Sequence, residues 1–141
     1  MTNITNTAEN PLFEKPKYKA SELSQTFWEN AKLNIFVVQQ CKSCQSTRHY
    51  PQYLCSHCLS DSYQWKDIEN HGKVHSWTVC HHAFHLGFKA DLPYTLVTVD
   101  MNEPGVRAMG IWRGKSDLQI GMPAKGQFIE TNQGGIELIF S

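Results

Sequence analysis

Cys41-Lys42-Ser43-Cys44 and Cys55-Ser56-His57-Cys58 are two C-x2-C pairs with ten residues between them. Two residues between cysteines let both sulfurs point into one turn while backbone amides support them. Two such turns bring four thiolates to the corners of a tetrahedron, the geometry Zn²⁺ adopts at roughly 2.3 Å per sulfur. Four protein ligands leave no open coordination position, so the chemistry expected of Cys41, Cys44, Cys55 and Cys58 is structural rather than Lewis-acid chemistry. The ion replaces a core that the 18-residue stretch 41–58 is too short to build. The same donors also hold a single iron for electron transfer, although the gap is short for a rubredoxin, and His57 or His49 are alternative ligands. Cys80 stands alone in a strand pattern and reads as a small buried hydrophobe. His81 beside it would point to the opposite face of a strand, so no nucleophile–base pair forms there.

Such knuckles need elements around them. Residues 1–18 are polar, carry Pro11 and Pro16, and read as a loose arm with Leu12, Phe13 and Tyr18 as docking points. Residues 21–32 predict a helix, with Ser21 as N-cap and Leu23, Phe27 and Ala31 at i, i+4 and i+8. Trp28 widens that stripe. The face packs on a core or, in the sharper reading, meets a partner through Phe27 and Trp28.

Beyond residues 34–40, a β-branched run leading into the first knuckle, the pattern is β. Runs fall at 63–68, 73–80, 94–101, 106–112, 123–131 and 136–140, punctuated by turn signals such as Asn132-Gln133-Gly134-Gly135. Val74, Ser76, Thr78 and Cys80 are expected to share one face. The fold class is mostly β: helix and knuckles over 19–62, then a five-stranded Greek-key barrel over 63–141. Periodicity alone does not separate an OB-type barrel from an SH3-like one.

Composition narrows the function classes. The 141 residues, 40% apolar and 18% charged, suit a folded domain. Thirteen Lys and Arg balance thirteen Asp and Glu, seven against seven in residues 1–70 and six against six in 71–141. Bulk-charge binding of polyphosphate is disfavoured in either half. No apolar run is long enough to span a membrane, and the first residues lack the basic and apolar regions of a secretory signal. A cytoplasmic location is expected, where five cysteines point to metal or free thiol rather than disulfides.

Several quoted pieces, in order, resemble one family. They are Phe27-Trp28, the Val37-Val38-Gln39-Gln40-Cys41 entry, both knuckles, Pro51, Trp65, Gly72–Val79, Pro93-Tyr94 and Asp117–Pro123. From about residue 20 onward the chain is similar to the acyl-CoA-associated zinc-ribbon/OB-fold proteins, long labelled a domain of unknown function. The resemblance implies a lead helix, a rubredoxin-like zinc ribbon and an OB barrel. It also implies a helper that accompanies thiolases, acyl-transferring relatives and hotdog-fold hydratases and helps seat coenzyme A. The chain departs from the pattern where family knuckles often end Cys-Gly, since Gln45 and Leu59 follow instead. The second knuckle also starts Cys55-Ser56 rather than Cys-Pro.

Coenzyme A needs a few cations, a flat shelf for adenine and a narrow groove. Trp112-Arg113-Gly114-Lys115 supplies a ring, two cations and a glycine, with Arg107 and Lys89 as further candidates. Residues 81–93 form a long loop whose Phe84, Leu86 and Phe88 either fold back on the core or meet a partner or an acyl channel. His81, His82 and His85 in that loop are candidate ligands or bases, or plain surface residues. No catalytic triad is visible. The expected function is therefore an accessory protein without chemistry of its own, bound to a thiolase-like or hotdog-fold enzyme, with acyl-CoA as possible ligand and homodimerisation open. Two alternatives stand beside it: a single-stranded nucleic-acid binder, and an acyltransferase using Cys80 or a loop histidine.

Overall fold

The computed structural model describes residues 14–131 and 134–141. Leu12, Phe13 and part of the 132–135 turn signal lie outside the described residues. The elements are helix α1 (Gln25–Lys32) and strands β1 (Phe36–Cys41), β2 (Thr47–Arg48), β3 (Tyr63–Ile68), β4 (His71–Cys80), β5 (Tyr94–Met101), β6 (Arg107–Trp112), β7 (Pro123–Glu130) and β8 (Ile136–Phe140). A single 3₁₀ turn, Leu86–Asp91, interrupts the long loop before β5.

Helix α1 begins later than the 21–32 pattern predicts. Ser21 and Ser24 hydrogen-bond each other reciprocally, each amide donating to the other's hydroxyl (3.0 and 3.2 Å). That closes a turn of its own before the helix and leaves Ser24, not Ser21, at the N-cap. Phe27 and Ala31 are buried, as the i, i+4 spacing requires.

β3–β1–β2 is one small antiparallel sheet. Strand β3 therefore belongs with the knuckles and not with the barrel, which the sequence reading began at residue 63. Each β3 residue faces one of β1, from Tyr63 opposite Cys41 to Ile68 opposite Phe36. β1 is buried on both faces, so its Phe-Val-Val run needs a covered partner on either side. β2 is a two-residue strand that no sequence pattern announced.

The remaining strands close a barrel in the order β4-β5-β6-β8-β7. Its seam is a parallel pairing of β6 with β8, Ile111 opposite Ile139 and Trp112 opposite Phe140. A parallel seam inside an otherwise antiparallel barrel selects the OB topology that periodicity left undecided. β4 pairs with β5 along its length and with β7 only over His71–Lys73. A bulge between Val74 and Ser76 corrects the expected shared face. One extra residue flips the alternation, so Val74 is buried while Ser76 and Thr78 are exposed.

One core serves all three parts. Phe27 of α1, Phe36 of β1 and Phe128 of β7 pack as an aromatic trio at centroid distances of 5.5 to 5.8 Å. Val97, Val99, Ala108 and Phe140 continue it through the barrel. Polar ties reinforce the junction. The Phe128 amide donates to Asn34 Oδ1 (2.9 Å), Thr47 Oγ1 donates to the Pro104 carbonyl (2.7 Å), and Lys66 pairs with Glu103 (2.8 Å).

The described end of the N-terminal arm is docked. Lys15 is buried and ion-paired to Asp91 (2.7 Å) and Glu137 (3.3 Å), with its ammonium over the Phe88 ring. Gly87 lies so close beneath that a Cβ there would sit 2.6 Å from the Glu14 carbonyl oxygen. Tyr18 stacks on Trp28 at 3.9 Å.

Candidate metal centre and ligand cavities

The knuckles fold as two matching turns. The Cys41 amide donates to the Ser46 carbonyl and the Gln45 amide returns to the Cys41 carbonyl (2.9 and 3.0 Å). The Cys55 amide donates to the Ser60 carbonyl and the Leu59 amide returns to the Cys55 carbonyl (both 2.9 Å). Each turn ends in a left-handed residue, Gln45 at φ 63° and Leu59 at φ 61°. These are the positions where a glycine would sit without strain.

The four Sγ atoms lie within 4.8 Å of one another, with Cys41–Cys58 and Cys44–Cys55 both at 3.6 Å. Ligands at roughly 2.3 Å from a tetrahedral ion stand about 3.8 Å apart, so the donor set fits zinc. The electrostatics ask for a cation. Cys55 is drawn down to about 5, first by the Ser46 hydroxyl and then by the Cys58 and His57 amides. At Cys58 the Ser60 amide pulls down, but the neighbouring sulfurs and burial together push the thiol up to about 11. Cys41 is lowered as well, first by the Cys44 amide, so it is thiolates beyond these two that are resisted until positive charge enters the cluster. Cys41 and Cys55 are buried, whereas Cys44 and Cys58 face solvent.

Neither alternative histidine joins the sulfurs. His57 is exposed, and His49 packs its ring against Phe36 (5.1 Å) and Phe27 (5.3 Å). Burial holds His49 down to about 4, so it is neutral.

The cations predicted for coenzyme A divide between places. Trp112 and Arg113 line a cavity of about 250 Å³ with Phe88, Asp91 and Tyr94. Gly114 folds back over the Trp112 ring, where a Cβ would come within 2.3 Å of ring carbon Cζ2. Lys89 and Lys115 are exposed and do not line that cavity. Arg107 sits at the other end of β6, about 20 Å away by strand rise. There its Nε donates to Asp100 (2.6 Å), which also holds His75 (3.1 Å).

Of the expected contact residues, Phe84 is 97% exposed and Leu86 is exposed, while Phe88 turns inward against Tyr94 (5.8 Å). Phe27 is core, with Trp28 half-buried between it and Tyr18. His85 Nδ1 accepts from the Gly87 amide (3.0 Å), capping the 3₁₀ turn, and His81 and His82 are exposed. Among the described residues the loop histidines form no metal cluster. Cys80 faces Tyr94 across the β4–β5 pair. The tyrosine's pKa is raised by burial first and by Cys80 second. The sequence reading missed Lys15 and the role of His49. A lone lysine in a polar arm carries no signal of burial, and a histidine between knuckles is read first as a ligand.

A family model described as the ChsH2 rubredoxin-like zinc ribbon domain matches residues 28–64. One described as the ChsH2 C-terminal OB-fold domain matches residues 65–128 directly after it. The chain belongs to the ChsH2 zinc-ribbon/OB-fold family. A curated relative from Thermomonospora curvata, named probable enoyl-CoA hydratase alpha subunit, is 33% identical over 133 residues. That match takes in 89% of this chain and 39% of the relative, so the chain spans well under half of that protein. A solved structure titled Ltp2-ChsH2(DUF35) aldolase superposes with a TM-score of 0.76 at 27% identity, covering 88% of this chain and 97% of that one. A protein of unknown function from the DUF35 family of Sulfolobus solfataricus shares the fold at TM-score 0.60 and 16% identity, over 86% and 87% of the two chains. The ChsH2 match and the element order bear out a helix, zinc ribbon and OB barrel in that sequence, and the four cysteines are arranged as a metal-binding set. No helix among the described residues is long and apolar enough to cross a membrane.

Proposed function

We propose that this chain is an accessory subunit of an acyl-CoA-processing enzyme, stapled by a structural zinc and contributing to acyl-CoA binding. The observation that carries the reading is the cavity at the end of β6, where Trp112 offers a flat face and Arg113 a forked cation beside it. The names of the relatives support it, since one is a hydratase subunit and another pairs a ChsH2 domain with an aldolase. The partner, thiolase-like or hotdog-fold, supplies nucleophile and base. This chain holds the thioester in place and keeps water out.

Two measurements test the proposal. Affinity capture with the full chain is expected to return a thiolase-like or hydratase-like enzyme. Calorimetry with coenzyme A is expected to give binding that weakens about tenfold in Arg113→Ala, the loss of one charge-assisted contact, and is unchanged in Arg107→Ala. The reading is overturned if no such enzyme is captured and coenzyme A does not bind. It is also overturned if the isolated chain turns over thioesters and loses that activity in Cys80→Ala.

A further inference from the structure

A second, larger cavity lies at the junction of the three parts. It is a groove of about 400 Å³ between α1, the segment 49–51 and the barrel wall, lined by Phe27, Trp28, Met109, Phe128, Ile136 and Leu138 among others. That volume lies in the range of small-molecule sites. Its chemistry differs from that of the Trp112–Arg113 cavity. None of its twelve lining residues is Asp, Glu, Lys or Arg, in a chain with 26 of them. The one imidazole in the wall is His49, kept neutral by burial. The polar atoms at its edge are the hydroxyls of Ser21, Ser24 and Tyr50. Met109 forms part of the wall while remaining 49% exposed, an apolar cost that an occupant would remove.

The two cavities share a strand. Met109 lines the groove and Ile111 lines the charged cavity, two residues apart on the same face of β6 and so about 7 Å along it. One end of this surface offers a guanidinium and an indole; the other is uncharged and mostly apolar. That is the order of a molecule with an ionic head and an apolar tail.

We infer that the groove between α1 and the β6–β8 wall binds the hydrocarbon tail of an acyl thioester, which makes this chain a selector of acyl length. The inference rests on the acyl-CoA reading above for its ligand, and on the uncharged lining for its site. A charged metabolite would be left without a counter-ion in the groove, and a nucleotide would find no cation there.

Binding of CoA, acetyl-CoA and octanoyl-CoA to the full chain tests it. Octanoyl-CoA is expected to bind at least tenfold more tightly than acetyl-CoA. In Met109→Lys, which puts a charge at the rim, that ratio should fall to near one with CoA affinity unchanged, thermal melting serving as the check on folding. Neutral octanamide gives a reading free of the CoA site. It is expected to shift the Met109 methyl and Trp28 indole resonances and to leave exposed Phe84 unmoved. If CoA binds but chain length makes no difference and octanamide shifts nothing, the groove inference fails and the acyl-CoA reading stands. If neither CoA nor octanoyl-CoA binds while octanamide still fills the groove, the acyl-CoA reading fails and the thioester assignment of the groove fails with it. If the octanoyl preference survives unchanged in Met109→Lys, the tail lies elsewhere and the inference fails.

Discussion

Gln45 and Leu59 show how a single residue strains a site that the rest of the chain has organised. Both occupy the left-handed region that closes a knuckle, and a side chain there costs roughly 1–2 kcal/mol. Part of that would be offset by the extra backbone freedom of an unfolded glycine. Leu59 is 72% exposed, so its side chain gives little packing in return. Leu59→Gly is expected to raise stability by about 0.5–1 kcal/mol in urea unfolding of the metal-loaded protein. The departure from Cys-Gly was legible in the sequence, and its backbone consequence was too, because the turn dictates the conformation whatever residue occupies it.

The ligands themselves set a larger scale. Structural zinc contributes about 10–16 kcal/mol in small fingers, as much as the whole stability of an ordinary domain. Cys55→Ser, or a strong chelator, is expected to unfold the ribbon sheet, seen as lost Trp65 burial in fluorescence and a melting point lowered by well over ten degrees. Metal analysis with an absorbance spectrum distinguishes zinc from iron in the same sample. His49 adds a pH term of opposite origin. Its folded value near 4 lies below the usual 6.5, so the unfolded chain takes up the proton first and stability falls as pH drops through that window. Wild type is expected to lose about 1 kcal/mol more than His49→Phe between pH 7.5 and 5.5, as read from urea midpoints. A wild type and variant with parallel pH profiles would contradict a buried neutral ring.

At the scale of elements, the strap formed by Lys15 is the least legible feature. Its sequence context is polar and proline-flanked, and nothing local marks the two carboxylates it meets from 76 and 122 positions away. Burial by itself would lower the lysine pKa. The hydrogen bond from Lys15 to Asp91 and the charges of Glu137 and Asp91 outweigh that and raise it. The ion pair is therefore fully formed at neutral pH, and its contribution fades only as pH climbs past about 10.4 into the folded value. Lys15→Met leaves Asp91 and Glu137 without their cation in a mostly buried place, and a loss of about 3 kcal/mol is expected in thermal or urea unfolding. Replacing all three residues with apolar ones should recover most of it, because a well-packed apolar cluster does about as well as a buried ion group.

Other elements were read from local pattern and missed for non-local reasons. The β runs were visible because alternation and turn residues are local. The membership of β3 was not, since its partner strand lies on the far side of both knuckles. The bulge in β4 was hidden because an extra residue leaves no mark in composition.

For the molecule as a whole, the sequence order of helix, knuckles and strands was enough to name the layers but not to join them. The OB topology is decided by the seam between β6 and β8, a pairing of strands distant in sequence. The same seam explains why the candidate cations separate. Arg107 and Arg113 bracket one strand, so six residues of β structure hold them at opposite ends of the barrel wall. Only Arg113 stands beside the ring that could carry an adenine.

The aromatic trio of Phe27, Phe36 and Phe128 draws one residue from each of the three parts. A boundary cut after residue 64 or 68 would therefore run through shared packing rather than through a linker. Anyone grafting this barrel onto another enzyme must carry the knuckles and the lead helix along as cargo, because the seam that looks like a joint in the sequence is a weld in three dimensions.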